Sequence, residues 1–155
     1  MIYGLCYADP RDLESLRAAL KDADPEGKLC PILMDRIYIQ REAVELLPGI
    51  VGDYTKTKKV LLVTDETPYF RDSVSLKEMI YFLLSRSFQV SWLVLDNHDH
   101  VLHAVDEESL KIQNAIRTHE VDCVVGVGGG MPNGPRSVRL AAYAEHQGAF
   151  GVVVN

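Results

Sequence analysis

Two stretches of this chain carry apolar or small residues at every position, Val60–Thr64 before its terminal threonine and Cys123–Gly128. A run without alternation suits a parallel strand covered on both faces. Other segments alternate. Arg36–Gln40 and the set Val90, Trp92, Val94 read as strands with two unlike faces. Elsewhere the period lengthens to that of a helix. Leu13, Leu16 and Leu20 follow Asp9-Pro10, which fits an N-cap and a first helical residue, and the polar run Lys21–Lys28 with Pro25 and Gly27 ends that helix. Ala43–Tyr54 is apolar at helical spacing, with Pro48 opening its main part. Thr55–Lys59 reads as a solvated turn. Ser75-Leu76-Lys77-Glu78 has the spacing of a capping box, with Val74 and Met79 as its staple, and heads a helix reaching about Phe88. His98–Val105 reads as loop. Asp106, Glu107 and Glu108 begin a helix and Arg117 and His119 close it, as the helix dipole prefers. A helix over Arg136–Gln147 and a strand over Phe150–Val154 complete the chain.

Strands alternating with helices of this length predict an α/β fold, a three-layer Rossmann-like parallel sheet flanked by helices. Val60–Thr64 and Cys123–Val127 should lie at its centre, and crossovers should be right-handed. The 155 residues suffice for one domain spanning 1–155 with a proper core. Hydrophobic residues at 47% and charged residues at 25% are ordinary for a soluble globular chain. A net charge of −6 argues against a nucleic-acid surface. The apolar runs are too short to span a bilayer, and the start lacks the features of a signal peptide, so a cytoplasmic protein away from membranes is expected. Cys6, Cys30 and Cys123 form an odd, scattered set without CxxC spacing, consistent with reduced thiols.

The candidate chemistry sits where strands end. Ligands on open parallel sheets bind beyond the carboxyl ends of the strands. Two features fall there: Asp65-Glu66 after the first buried strand, and Gly128-Gly129-Gly130 after the second. The glycines allow positive φ and close approach of the backbone to something bulky. Asn133 or Gly134 as N-cap and Pro135 as first helical residue would start the next helix. Strand, glycine loop and helix start form a phosphate cradle, because backbone N–H groups and the helix dipole converge on the loop. Arg136 and Arg139 lie in the first turns of that helix, where a bound phosphate would offset their unfavourable position. The plainer alternative is a tight strand-to-helix turn. The dinucleotide fingerprint GxGxxG is not met, since Met131 stands where its third glycine belongs. A carboxylate and an anion cradle at one sheet edge suit a nucleotide, with the carboxylate on ribose hydroxyls and the cradle on pyrophosphate. His98, His100 and His103 with Asp96 and Asp99 have no fixed ligand spacing and read as a solvated loop, not a metal site. Cys123 reads as a small buried hydrophobe. No catalytic triad can be placed.

KKVLLVTDE at 58–66, LHAVDEESLKIQNAI at 102–116 and VDCVVGVGGG at 121–130 resemble the N-terminal domain of the iron-containing alcohol dehydrogenase superfamily. Within it they are most similar to sn-glycerol-1-phosphate dehydrogenases, over about Arg36 to Val154. The resemblance implies an NAD(P)-binding domain in which Asp65 contacts the adenosine ribose, while Gly128, Gly129 and Gly130 form the pyrophosphate loop. Asn133 matches the first member of the family's Asn-Asp pair, but Gly134 replaces the acid. The resemblance also implies a helical C-terminal domain that supplies the metal ligands. Without it, the chain is expected to hold no catalytic residue and no metal, to bind NAD weakly (or NADP), and to be an inactive truncated half of a dehydrogenase. A flank left bare by that domain would favour a homo-oligomer. The competing expectation is a non-catalytic binding or assembly domain that keeps the fold without cofactor chemistry. A flavodoxin-like regulatory domain would need an acidic cluster with a distant lysine, which cannot be placed.

Overall fold

A computed structural model describes residues 9, 11–29, 31–32, 34–96, 106–128 and 150–154. The chain divides into two compact units, Met1–Ala43 and Val44–Asn155.

In the first unit, helix α1 spans Leu13–Ala23. Its N-cap is Asp12, which accepts from the Ser15 backbone N–H at 3.0 Å and the Ser15 hydroxyl at 2.7 Å. The cap expected from sequence was Asp9. That residue instead closes the preceding turn, accepting from the Arg11 N–H at 2.9 Å. Both aspartates can cap, and the one adjacent to the first buried apolar residue, Leu13, wins. Arg17 fastens α1 to the segment beyond it, donating to the carbonyls of Met34 at 2.6 Å and Ile32 at 3.3 Å. Arg36–Gln40 is irregular, not the expected strand, with Tyr38 at 42% and Ile39 at 56% exposure. Alternation supplies two faces but no partner, and a lone strand has no ladder to stabilise it.

The second unit is the expected α/β layer structure. A short 3-10 turn, Ala43–Leu46, leads into α2, Leu47–Tyr54, with Pro48 in its first turn. Strand β1 is Lys59–Asp65. A two-stranded hairpin follows, β2 Phe70–Arg71 and β3 Val74–Ser75. Helix α3, Leu76–Ser85, starts at the expected cap, Ser75, which accepts from the Glu78 N–H at 3.4 Å. Strand β4, Gln89–Leu95, helix α4, Asp106–His119, and strands β5, Cys123–Val127, and β6, Phe150–Val154, complete it. The four long strands form one parallel sheet in the order β4-β1-β5-β6. The register runs from Lys59 opposite Gln89 to Asp65 opposite Leu95, and from Val60 opposite Cys123 to Val63 opposite Gly126.

The unbroken apolar runs now have a cause. Val60 and Leu62 of β1 and Cys123, Val125 and Val127 of β5 pack under Leu47 and Val51 of α2 and Ile80 and Leu84 of α3. Leu61, Val63 and Val124 point the other way, with Leu95, against Ile112 and Ile116 of α4. Each such side chain is fully buried and contributes about 1.5–3 kcal/mol. The chain moves from β1 to β4 on one side and then returns to β5 on the other. Its two crossover helices fall on opposite faces, as a common crossover hand requires.

The hairpin had no glycine or asparagine to announce it. Its loop residues Asp72 and Ser73 take φ of 51° and 67°, the left-handed pair that a two-residue hairpin loop needs. The solvated turn expected at 55–59 is likewise more organised. Asp122, just before β5, accepts from the hydroxyls of Thr55 at 2.6 Å and Thr57 at 2.9 Å. It also accepts from the backbone N–H groups of Lys56 at 2.7 Å and Thr57 at 2.9 Å. Burial raises its pKa, but these donors outweigh burial and hold the carboxyl below 3.8.

Candidate functional site

The chain reverses direction across the sheet between β1 and β5, so their carboxyl ends flank the topological switch point. Asp65 is the last residue of β1, and Gly128 immediately follows β5. These two sequence-predicted residues are brought together. A Cβ placed on Gly128 would lie 3.8 Å from Asp65 Oδ1. Gly128 has φ +122°, a conformation that side chains resist, and its N–H donates to the Val154 carbonyl at 3.2 Å. The same hypothetical Cβ would meet the Tyr69 hydroxyl at 3.5 Å and ring at 3.6 Å. Part of the space beside this glycine is therefore filled by the protein's own Tyr69. Gly129, Gly130, Asn133 and Arg136, with His98, His100 and His103, lie outside the described residues.

The Asp65 carboxylate is held from two directions. The Thr67 N–H donates to Oδ1 at 3.1 Å and the Thr67 hydroxyl to Oδ2 at 3.0 Å, folding the chain into a local turn after β1. Lys77 reaches across from the first turn of α3. Its Nζ donates to Oδ1 at 2.9 Å and also to the Asp65 backbone carbonyl. It lies 5.1 Å from the centre of the Tyr69 ring, which adds a cation–π contact. The structure thus supplies Asp65 with a cation from the next helix. A signal did exist. A lysine in a helix's first turn opposes the dipole, so it calls for a compensating acid.

A second carboxylate belongs to the same end of the sheet. Glu108, Ile112 and Ile116 form one stripe of α4 at spacings of four, and the two isoleucines pack on Leu61, Val63 and Leu95. Glu108 continues that stripe past the strand ends, on the layer that Asp65 continues by alternation after Leu61 and Val63. It is 5% exposed. Its Oε1 accepts from Lys111 Nζ at 2.8 Å, while its Oε2 is buried without a partner among the described residues. Lys111 also stands 3.9 Å from Asp96 Oδ2. Its pKa is raised, chiefly by the Glu108 hydrogen bond against the opposing effect of desolvation. Sequence reading took Glu108 for a dipole partner at a helix start. An acid there is so common that it carries no signal of burial.

Cys123 opens β5 and is fully buried, as expected of a small hydrophobe. Burial, with the Asp122 charge adding to it, pushes its thiol up to about 12, which removes it as a nucleophile.

No family model matches the chain, and no curated protein is significantly similar to it. Among the described residues, no helix is long and apolar enough to cross a membrane. What the geometry offers at the switch point is the Asp65 carboxylate beside positive-φ Gly128. Two nearly buried carboxylates, Asp65 and Glu108, are each paired with a lysine.

Proposed function

We propose that the Val44–Asn155 unit is a nucleotide-binding domain of the kind used by polyol and glycerol-1-phosphate dehydrogenases, binding NAD or NADP. The reading rests on one observation, the Asp65 carboxylate beside positive-φ Gly128 at the switch point. Asp65 would accept from a ribose hydroxyl, and the backbone from Gly128 onward would pass close to the pyrophosphate. Glu108 Oε2 is a further acceptor, without a donor among the described residues. A bound nicotinamide supplies hydride chemistry, while the residues described bind and orient. The acid–glycine arrangement also supports the resemblance to the iron-containing alcohol dehydrogenase superfamily.

A second reading, an assembly domain without cofactor, draws on Tyr69 filling the space beside Gly128 and on the internal donors that already engage Asp65. Calorimetric titration of the full chain with NAD separates the two. Binding in the millimolar range, about −4 kcal/mol, is expected for the first. Loss of that binding in Asp65→Ala supports it, and heat-silent titration of the wild type favours the assembly domain.

A further inference from the structure

We infer that Lys77 is a specificity-determining residue that acts through Asp65: it cancels the carboxylate's charge and occupies Oδ1, so Asp65 recognises a single hydroxyl and tolerates a phosphate monoester beside it. This rests on the nucleotide reading above.

The argument is a count of acceptor directions. A carboxylate offers about four. The Thr67 N–H and Lys77 Nζ take two on Oδ1, and the Thr67 hydroxyl takes one on Oδ2. Among the described residues, one direction remains, on Oδ2. A free carboxylate grips a vicinal diol through two hydrogen bonds, but this one can accept only one. The neighbouring ribose hydroxyl is then not engaged by Asp65, and replacing it with a phosphate forfeits no hydrogen bond. The charge argument points the same way. A lone carboxylate repels a 2′-phosphate, but here the ammonium lies 2.9 Å from the carboxylate with 10% of its side chain exposed, so the pair presents no net charge. Lys77 is itself committed to Asp65 and faces the Tyr69 ring, which makes it a positioning residue and not a ligand contact.

The test titrates the full chain with NAD and with NADP, followed by calorimetry or by fluorescence of Trp92, the single tryptophan. Wild type, Lys77→Met, Lys77→Arg, Asp65→Asn and the Asp65→Asn/Lys77→Met double variant are compared. The ratio of the two affinities is the readout, because a merely structural lysine would weaken both cofactors alike. In the wild type the two affinities should agree within about threefold, not show the NAD preference that an isolated acid suggests. Like-charge repulsion should shift Lys77→Met toward NAD by about tenfold or more. Asp65→Asn, which leaves the ammonium unopposed, should shift the ratio toward NADP. The double variant and Lys77→Arg should return it close to wild type. An unchanged ratio in Lys77→Met, with both affinities lowered equally, overturns the role of Lys77 and leaves the nucleotide site standing. If circular dichroism shows that Lys77→Met does not fold, Asp65→Asn and the double variant decide, and equal ratios in those two overturn the role. A wild type that binds neither cofactor removes the nucleotide reading and this inference together.

Discussion

The Lys77 ammonium and the Asp65 carboxylate are 2.9 Å apart, with 10% and 15% of their side chains exposed. Removing one partner of so enclosed a pair leaves the other charge short of solvent. Lys77→Met should therefore destabilise the chain by about 2–4 kcal/mol, whereas Asp65→Asn/Lys77→Met should cost less than the sum of the two single changes. Urea denaturation of the four proteins in the cycle measures this. Additive losses would mean that the pair contributes no coupling.

Gly128 is constrained by its backbone. A Cβ there would find ordinary contact distances of 3.5–3.8 Å, so space is not the obstacle, but φ +122° is. Gly128→Ala should lose about 1–3 kcal/mol of stability. Thermal melts give the value, and an unchanged midpoint would show that the loop relaxes freely.

Asp122 gives the fold a pH dependence. Its folded pKa lies below 3.8, held there by the Thr55, Lys56 and Thr57 donors against the upward effect of burial. A depressed carboxyl contributes stability that is fully present above the unfolded pKa and lost as pH falls through the folded one. Stability should thus decline as the pH drops below about 4, and Asp122→Asn should flatten that decline while costing roughly 2 kcal/mol at neutral pH. Denaturation midpoints collected from pH 7 to pH 3 test it; a parallel acid decline in the variant would assign the effect elsewhere.

Cys123 should be chemically silent. Its thiol is pushed up to about 12, mainly by burial. In a Cys6→Ser/Cys30→Ser background, the native protein should not react with a disulfide reagent at pH 8 until denatured. Rapid native labelling would mean that β5 opens readily.

The sheet was legible because its chemistry is local and repetitive. Val60–Thr64 and Cys123–Val127 are apolar without alternation, which only a strand between two helical layers requires. Ser75 and Pro48 announced their helices through capping chemistry that operates within one turn. The sequence likewise placed Asp65 and Gly128 at strand ends, and hence at one edge of the sheet.

Only the tertiary structure could decide what meets what across that edge. Lys77 lies twelve residues beyond Asp65, with a hairpin of non-glycine turn residues between them, so no spacing rule foretold their contact. Tyr69 against Gly128 and Asp122 beneath the Thr55–Thr57 turn are also meetings of separate segments. The Arg36–Gln40 segment marks the converse limit. Its alternation was real, but a strand exists only where a neighbour supplies the other half of its hydrogen bonds, and that neighbour is not encoded in the segment. Periodicity determines which faces a segment can bury, whereas pairing and charge compensation depend on which distant groups the completed fold sets within 3 Å.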